Sequence, residues 1–428
     1  MTDTGTVSDP ARLGARAARD AIRAGRLAPG ELLEACLSRI AARDDTVRAW
    51  HFLDPALPRA AVSGLAAGVL EGLPVGVKDI TATADMPTAC GSPIYRGHVP
   101  GRDAACVAAL RAAGGLVMGK TATTEFAAYT PTETRNPHDP AHTPGGSSSG
   151  SAAAVADFQV PLATGTQTAG SVIRPASFCG VVGLKPTFGT VDYAGTHGFA
   201  ASLDTLGVFA RSAGDAALFA GAMAGWEALT DPAPEAPRRV RIIRAPHWGQ
   251  VSAESEALVE TAARLFADHG VTVTDTPLPA AFEDLLAAQE LIQIYEGRRA
   301  LAWERHTHGD KLSEGLRGHF DRVAAVPFTE YRAARQAQAL WQQRIDGMMA
   351  PGEVWLTAAA PGEAPEGLGA TGDPVFSRVW TLLHVPCIAL PMGRGPKGLP
   401  IGIQLIGPRW RDPDLIAAAL WFEERRGA

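Results

Sequence analysis

The chain has 428 residues, of which 46% are hydrophobic, and its formal net charge at pH 7 is −6. The hydrophobic fraction is sufficient for a large buried core, and the acidic balance argues against a nucleic-acid-binding surface. The sequence contains no continuous apolar stretch of the length that spans a membrane. We therefore expect a globular cytoplasmic protein that binds neither nucleic acids nor membranes.

The first part of the chain predicts helices and strands in alternation. Apolar residues recur at helical spacing over residues 11–48, which predicts two helices. Residues 73–80 predict a strand, and Asp103 is the candidate N-cap of a helix that ends at Ala113, before a glycine pair. Residues 116–118 predict a short buried strand.

The alternation continues through the rest of the chain. Residues 151–156 are rich in alanine and predict a closely packed helix, and residues 159–164 with the start of 165–171 predict a strand that runs into a glycine turn. A proline-rich linker at 230–237 and a loop at 361–374 are predicted from composition. Further helices are predicted at 215–223, 253–268, 281–305 and 329–349, and further strands at 239–244, 271–274 and 354–357. Together these elements predict an α/β fold with helices on both faces of a sheet.

The cysteines and histidines do not predict a metal site or a redox site. The five cysteines are scattered and form no C-x-x-C pair, as expected of packing residues in a reducing compartment. His138 and His142 are four residues apart, but the prolines around them predict a loop, and polar loop histidines are the favoured interpretation over a metal site.

Three segments carry residues of chemical interest. Residues 73–79 read Leu-Pro-Val-Gly-Val-Lys-Asp, so an apolar strand ends in Lys78. Residues 143–151 read Thr-Pro-Gly-Gly-Ser-Ser-Ser-Gly-Ser, and residues 165–175 read Gly-Thr-Gln-Thr-Ala-Gly-Ser-Val-Ile-Arg-Pro. Glycine before a serine permits backbone conformations in which successive N–H groups converge on an anion. Such a turn can form an oxyanion hole.

These segments resemble the amidase signature family, whose members cleave amide bonds with a Ser–cis-Ser–Lys triad. The resemblance is close over about 72–220 and returns in the last part of the chain. It implies one domain over residues 1–428, built on a single large mixed β-sheet flanked by helices on both faces. The catalytic core would be about 72–220 plus 386–428, and about 240–385 would supply a variable substrate pocket. The segments similar to the family are 76–79, 145–156, 165–175, 183–187, 202–207 and 386–407.

The resemblance also implies a role for each site residue. Ser171 would be the nucleophile, Ser147 the relay serine next to a cis peptide bond, and Lys78 the base. Burial of Lys78 would lower its pKa from about 10.4, so that a neutral amine could accept a proton. The ordinary alternatives are an exposed lysine at a strand end, a turn serine and an N-cap serine. The oxyanion hole would consist of the N–H groups of Thr168, Ala169, Gly170 and Ser171.

The nucleophile segment departs from the family pattern Gly-Thr-Asp-x-Gly-Gly-Ser-x-Arg. Gln167 stands where aspartate is expected, Ala169 replaces a glycine, and Ile173 stands where arginine is expected. Arg174 comes one position later, in the sequence Ser-Val-Ile-Arg-Pro, which resembles the corresponding motif of the malonamidase branch of the family. The aspartate and the arginine are therefore lost together, which leaves neither charge without its partner.

Arg174 is the candidate substrate-binding residue. Without the usual aspartate, its guanidinium can bind a carboxylate of the substrate through two parallel hydrogen bonds. A short acid amide of the malonamate type would then be the substrate. The alternative is a structural ion pair between Arg174 and an acid of the protein, for which Asp204 and Asp79 are the candidates.

Two motifs suggest other classes of enzyme. Residues 114–121 fit the Walker A pattern, but Leu116, Val117 and Met118 favour a strand over a phosphate-binding loop, which would leave Lys120 a surface or loop residue. Residues 146–150 fit the G-x-S-x-G elbow of α/β-hydrolase esterases with Ser148 as nucleophile, but no apolar strand precedes them. Both alternatives are disfavoured.

The sequence thus predicts an amidase that hydrolyses the C–N bond of a small amide and releases ammonia or a small amine. It predicts no cofactor and leaves open whether the chain forms a homodimer. The main alternative is the amidase-type subunit of a tRNA-dependent amidotransferase, which would need a glutamine-using site and a partner chain. A catalytically silent binding protein would require a broken triad, whereas Lys78, Ser147 and Ser171 are all present.

Overall fold

The strands form one sheet in a computed structural model that describes residues 8–244 and 247–427. Their order across the sheet is β1-β3-β2-β4-β6-β5-β10-β11-β9-β7-β8. In chain order they are β1 (Trp50–Phe52), β2 (Pro74–Lys78), β3 (Leu116–Thr121), β4 (Leu162–Gln167), β5 (Val182–Lys185), β6 (Thr205–Ala210), β7 (Arg239–Ile242), β8 (Thr272–Asp275), β9 (Glu353–Ala358), β10 (Cys387–Arg394) and β11 (Pro400–Ile406).

Helices pack on both faces of this sheet, so the predicted α/β fold with a single large mixed sheet is confirmed. Within the described residues, no helix has both the length and the apolar character needed to cross a membrane. The α-helices are α1 (Ala15–Arg23), α2 (Pro29–Val47), α3 (Ala56–Ala61), α4 (Ala105–Ala112), α5 (Ser149–Ala156), α6 (Ile173–Cys179), α7 (Ala213–Ala224), α8 (Glu227–Thr230), α9 (Ala253–Asp268), α10 (Phe282–Ala300), α11 (Ala302–Thr307), α12 (Glu314–Arg322), α13 (Phe328–Met348), α14 (Val375–Leu382) and α15 (Asp412–Arg426).

The parallel pairs of the sheet decide where the site lies. β2 pairs in parallel with both β3 and β4, whereas β4 pairs with β6 in the antiparallel sense. Every residue of β2 and β4 is buried. Since neighbouring parallel strands end at the same edge of a sheet, Lys78 at the end of β2 lies beside the turn that follows β4.

Two sequence predictions about helices are wrong. The N-cap of α4 is Ala104, not Asp103, because the Asp103 carboxylate accepts a hydrogen bond from the Ala84 N–H and pairs with Arg111. The helix predicted at 281–305 is divided at Leu301 into α10 and α11, and α12 and α14 were not predicted.

Helix α5 carries small side chains because it packs against backbone. A Cβ atom on Gly150 would lie 2.1 Å from the Ala49 carbonyl oxygen and 2.3 Å from the Ala122 nitrogen. We expect Gly150→Ala to lower the free energy of unfolding by about 1–3 kcal/mol, since backbone atoms cannot move away cheaply. Chemical denaturation would measure this loss.

The matched control is Gly30→Ala in α2, where an added Cβ has no heavy atom within 4 Å. It should keep or slightly increase the free energy of unfolding, because alanine is the better helix former. Equal destabilisation by the two changes would contradict the packing argument for α5.

Candidate active site

Lys78 is a fully buried amine held by two hydroxyl groups. Its Nζ donates to Ser147 Oγ at 2.8 Å and to Thr166 Oγ1 at 2.7 Å. Its backbone N–H donates to Thr164 Oγ1 at 2.9 Å, so that β4 fixes both the main chain and the side chain of this residue. The structure therefore brings together Lys78 and Ser147, two of the three predicted catalytic residues.

The electrostatics of this lysine suit proton transfer. Burial lowers the pKa of Lys78 to about 7, and the negative charge of Asp204 opposes part of that shift. Close to neutral pH a large fraction of the amine is therefore neutral and able to accept a proton. The burial of Lys78 agrees with the expectation from the sequence.

Ser147 follows the Gly146–Ser147 peptide bond, which is cis, and its side chain is buried. The next residue, Ser148, is buried against the end of β4, where its Oγ lies 3.3 Å from both the carbonyl oxygen and the nitrogen of Thr166. The segment before Ser148 is a loop rather than a strand, so the strand–turn–helix context of a nucleophile elbow is missing.

The turn of residues 168–171 connects β4 to α6. Three of its carbonyl oxygens are satisfied, whereas no acceptor for its four N–H groups is found within residues 8–244 and 247–427. Backbone N–H groups without protein acceptors are available to bind a developing oxyanion. The carbonyl oxygens of Thr168, Ala169 and Gly170 accept from Gln289 Nε2 at 2.9 Å, Thr381 Oγ1 at 2.8 Å and Arg174 N at 3.0 Å, respectively.

Gln167 has a structural role that the sequence did not reveal. Its Oε1 accepts from the N–H groups of Val172 and Ile173 at 2.9 and 3.1 Å, so it caps the beginning of α6. Its Nε2 donates to Thr381 Oγ1 at 2.9 Å. A carboxylate could accept the first two bonds but could not donate the third, which gives a physical reason for an amide at this position.

Ser171 lies in the turn and its side chain is 8% exposed. Its Oγ has no hydrogen-bond partner in the part of the chain that the structure describes, so Lys78 and Ser147 are hydrogen-bonded to each other but neither is hydrogen-bonded to Ser171. The contact between Ser147 and Ser171 that a proton relay needs therefore stays a prediction.

Arg174 reaches from α6 to two other segments. Its Nη1 donates to the Gly372 carbonyl oxygen at 2.9 Å, and its Nη2 donates to the Gly146 carbonyl oxygen and, at 3.0 Å, to Thr371 Oγ1. Nε is buried and has no acceptor among the described residues. Burial lowers the pKa of Arg174 to about 9, opposed by the carboxylate of Asp373.

Neither acid suggested as a structural partner of Arg174 is bonded to it. Asp204 accepts from Thr168 Oγ1, and Asp79 lies 3.5 Å from Lys120 Nζ and 3.1 Å from His51 Nδ1. The guanidinium instead donates hydrogen bonds to two backbone carbonyl oxygens and one hydroxyl. Within the described residues its positive charge is not neutralised by an ion pair, and a buried cation in that state favours an anionic ligand.

Lys120 corrects another expectation. It lies in β3 and is fully buried, not a surface or loop residue, and its Nζ donates to the Thr81 carbonyl oxygen and to Thr88 Oγ1. Because residues 116–121 form a strand, they cannot form a phosphate-binding loop. The Walker A hypothesis is therefore wrong.

Both loop histidines lie against protein groups, but only His138 is hydrogen-bonded within the described residues. His138 Nε2 lies 2.9 Å from the Cys179 carbonyl oxygen, and His142 Nδ1 lies 3.0 Å from a carboxylate oxygen of Asp139. In the described ranges, no group of three or more His, Cys, Asp or Glu residues could hold a metal ion.

Comparison with known proteins gives the same family along most of the chain. A family model described as Amidase matches residues 31–416. The A subunit of the glutamyl-tRNA(Gln) amidotransferase of Cereibacter sphaeroides is 34% identical over 473 residues, covering 96% of this chain and 96% of that protein. Since this chain has 428 residues, that relative carries segments which this chain lacks.

Two solved structures share the fold over nearly the full length. One, from a vestigial protein complex that bears on the origins of an s-triazine catabolic enzyme, has a TM-score of 0.88 and 27% identity, covering 97% of this chain and 99% of that chain. The other is the peptide amidase of Stenotrophomonas maltophilia, with a TM-score of 0.78 and 28% identity, covering 97% of each chain.

Proposed function

The chain belongs to the amidase family, and we propose that it hydrolyses the C–N bond of a small amide through a seryl acyl-enzyme. The observation that carries this proposal is the fully buried Lys78 amine in contact with Ser147, beside a turn with four unbonded N–H groups. An amine with a pKa of about 7 is suited to take a proton at neutral pH.

The proposed reaction has two steps of the same kind. Ser171 Oγ attacks the amide carbonyl carbon, and its proton passes through Ser147 to Lys78 while the oxyanion binds the N–H groups of residues 168–171. The proton then goes to the leaving nitrogen as the C–N bond breaks, which releases ammonia or a small amine. Water attacks the acyl-enzyme in the same way and releases the acid, so no step requires a cofactor.

We further propose that the substrate is a small amide that carries a carboxylate. This rests on the buried guanidinium of Arg174, which lies three residues after the proposed nucleophile and forms no ion pair with an acid of the described residues. A two-bond clamp needs Nη2, which now donates to Gly146 and Thr371. A carboxylate would therefore displace the Thr371 hydroxyl and bind through Nη2 and Nε, which has no acceptor among the described residues. The malonamidase-like specificity suggested by the sequence stays a prediction.

A panel of small amides scored for ammonia release tests this function. It should contain malonamate, succinamate, asparagine and glutamine, together with neutral amides of matched size. Rapid release from at least one acid amide and slow release from its neutral counterpart are expected. No release from any member would contradict the proposal.

A separate prediction concerns Arg174. We expect Arg174→Ala to lower kcat/KM for the best acid amide, because a buried charged partner of the substrate is lost. The loss of transition-state stabilisation should be about 2–4 kcal/mol. Turnover of the matched neutral amide should change little. Equal losses for the acid amide and the neutral amide would show that Arg174 only holds Gly146 and the loop at 371–372.

The second candidate function is that of an amidotransferase subunit that uses glutamine. The 34% identity to the A subunit of a glutamyl-tRNA(Gln) amidotransferase favours it over a free-standing malonamidase. Glutamine is itself a small amide with a carboxylate, so both candidates use the same site. Preferred hydrolysis of glutamine, increased by a partner chain, would support the subunit, whereas full activity on a shorter acid amide by the isolated chain would support the free-standing enzyme.

A further inference from the structure

Asp204 is a buried carboxylate at the centre of the site, in the residue just before β6. It accepts hydrogen bonds from Thr168 Oγ1 at 2.5 Å and from the N–H groups of Phe199 and Ala200 at 2.7 and 2.9 Å. Its side chain is 6% exposed, and among the described residues no cation lies within 4 Å of it. Thr168 opens the turn that we assign to the oxyanion hole.

We propose that Asp204 is a positioning residue that holds Thr168 at the oxyanion turn and supplies the counter-charge for the ammonium that forms on Lys78. This inference rests on the proposed function, in which Lys78 takes the proton of the nucleophile. Asp204 does not contact the reacting atoms and acts through its two neighbours.

The charges around Lys78 make Asp204 the relevant anion. The side chains in direct contact with the amine are hydroxyls, Ser147 and Thr166, which carry no charge. Tyr193 is a partly buried phenol whose hydroxyl donates to the His197 carbonyl oxygen, and its removal from water raises its pKa well above the ordinary value, so the phenol is neutral. Asp79, next in sequence to Lys78, faces Lys120 and His51 instead.

The two groups stabilise each other's charged forms. The negative charge of Asp204 raises the pKa of Lys78 against the larger effect of burial, and Lys78 lowers the pKa of Asp204, which burial raises to about 6. The ammonium is absent while the amine is neutral and appears as Ser171 is acylated. A fixed carboxylate nearby therefore stabilises the transition state more than the ground state.

The loop that carries Asp204 is held from several sides. The backbone N–H and the hydroxyl of Ser202 both donate to Glu296 of α10. The Ser202 carbonyl oxygen accepts from Gln338 of α13 and lies 2.8 Å from His384 Nε2. The carboxylate is thus fixed before the reaction begins, as electrostatic stabilisation of a transition state requires.

The first test is the pH dependence of kcat/KM in Asp204→Asn. The variant should be at least about tenfold slower. The acidic limb of its pH–kcat/KM profile should move to lower pH by roughly one unit, because the Lys78 ammonium loses its proton more readily without a carboxylate nearby. The control is Gln289→Leu, which removes a bond to the Thr168 carbonyl oxygen without changing any charge. It should slow the reaction and leave the limb in place.

An acidic limb that stays at the wild-type pH in Asp204→Asn would overturn the proposal. So would an equal shift in Gln289→Leu, since disturbance of the turn alone would then explain it. Both outcomes are measured on the best substrate of the amide panel.

A second test needs no turnover and so separates this inference from the proposed function. Free energies of unfolding are measured for wild type, Asp204→Asn, Lys78→Met and the double variant at about pH 6.5, where both groups are largely charged. Asp204→Asn should lower the free energy of unfolding of the wild type. In the Lys78→Met background the same change should lower it little or even raise it. Equal costs in the two backgrounds would show that the groups are not coupled and would overturn the pairing, whatever the enzyme hydrolyses.

Discussion

Ser171→Ala is expected to abolish amide hydrolysis, with a loss in kcat of roughly 10⁴–10⁶-fold, while the protein stays folded. When a nucleophile and its base act together, mutation of the nucleophile alone lowers kcat about as much as mutation of all the residues of that group. Folding should be unaffected because Ser171 Oγ makes no hydrogen bond within the described residues. Ammonia release, together with circular dichroism and a denaturation curve, would measure both parts of this result.

Covalent labelling identifies the nucleophile independently of the substrate. A fluorophosphonate probe should modify Ser171, and mass spectrometry of the digested protein should find the label on the peptide that contains it. Ser148→Ala is the matched control, since Ser148 is buried against Thr166 and should remain unlabelled. Label on Ser148, or full activity in Ser171→Ala, would contradict the assignment.

Much of the central fold could be predicted from the sequence because its signals are local. The apolar run before Lys78 predicts β2, and residues 159–164 with the start of 165–171 predict β4. Both strands are found, and both are completely buried. The same run indicates a buried Lys78, because four apolar or small residues precede it.

The sequence could not predict the groups that support the oxyanion turn. Gln289 and Thr381 lie 121 and 212 residues from the carbonyl oxygens to which they donate, in α10 and α14. No local pattern shows which residue of a distant helix reaches a particular turn. Helix α12 is different, because Ser313 accepts from the Leu316 N–H as an N-cap, and that signal was available in the sequence.

Lys120 and Gln167 show how a single residue can be misinterpreted. Most lysines are exposed, and only the acceptors Thr81 and Thr88, which come from another part of the chain, make burial of Lys120 possible. Gln167 departs from the family pattern, but only the structure shows its bonds to α6 and to Thr381. In both residues the decisive partners are tertiary contacts.

The pH dependence of acylation should report on Lys78. The amine must be neutral to accept a proton, so kcat/KM should rise as the pH increases through about 7, the pKa that burial gives to this lysine. Lys78→Ala removes the base and should lower kcat/KM by roughly 10³-fold or more at pH 7. Its residual activity should increase with pH up to the alkaline limit of stability, because hydroxide can partly replace the amine.

Ser147→Ala should have a similar cost, since Ser147 is the one proposed link between the lysine and the nucleophile. If the proton passes from Ser171 through Ser147 to Lys78, then the relay is lost when either member is lost. The double variant Lys78→Ala/Ser147→Ala should therefore be only slightly slower than the slower single variant, because residues that act as a unit are strongly non-additive.

Thr166→Val is the control, because it removes the other hydroxyl bonded to Lys78 and leaves the relay intact. Its loss should be smaller than that of Ser147→Ala. Losses for Lys78 and Ser147 that simply multiply in the double variant would show that the two residues act independently and would contradict the relay.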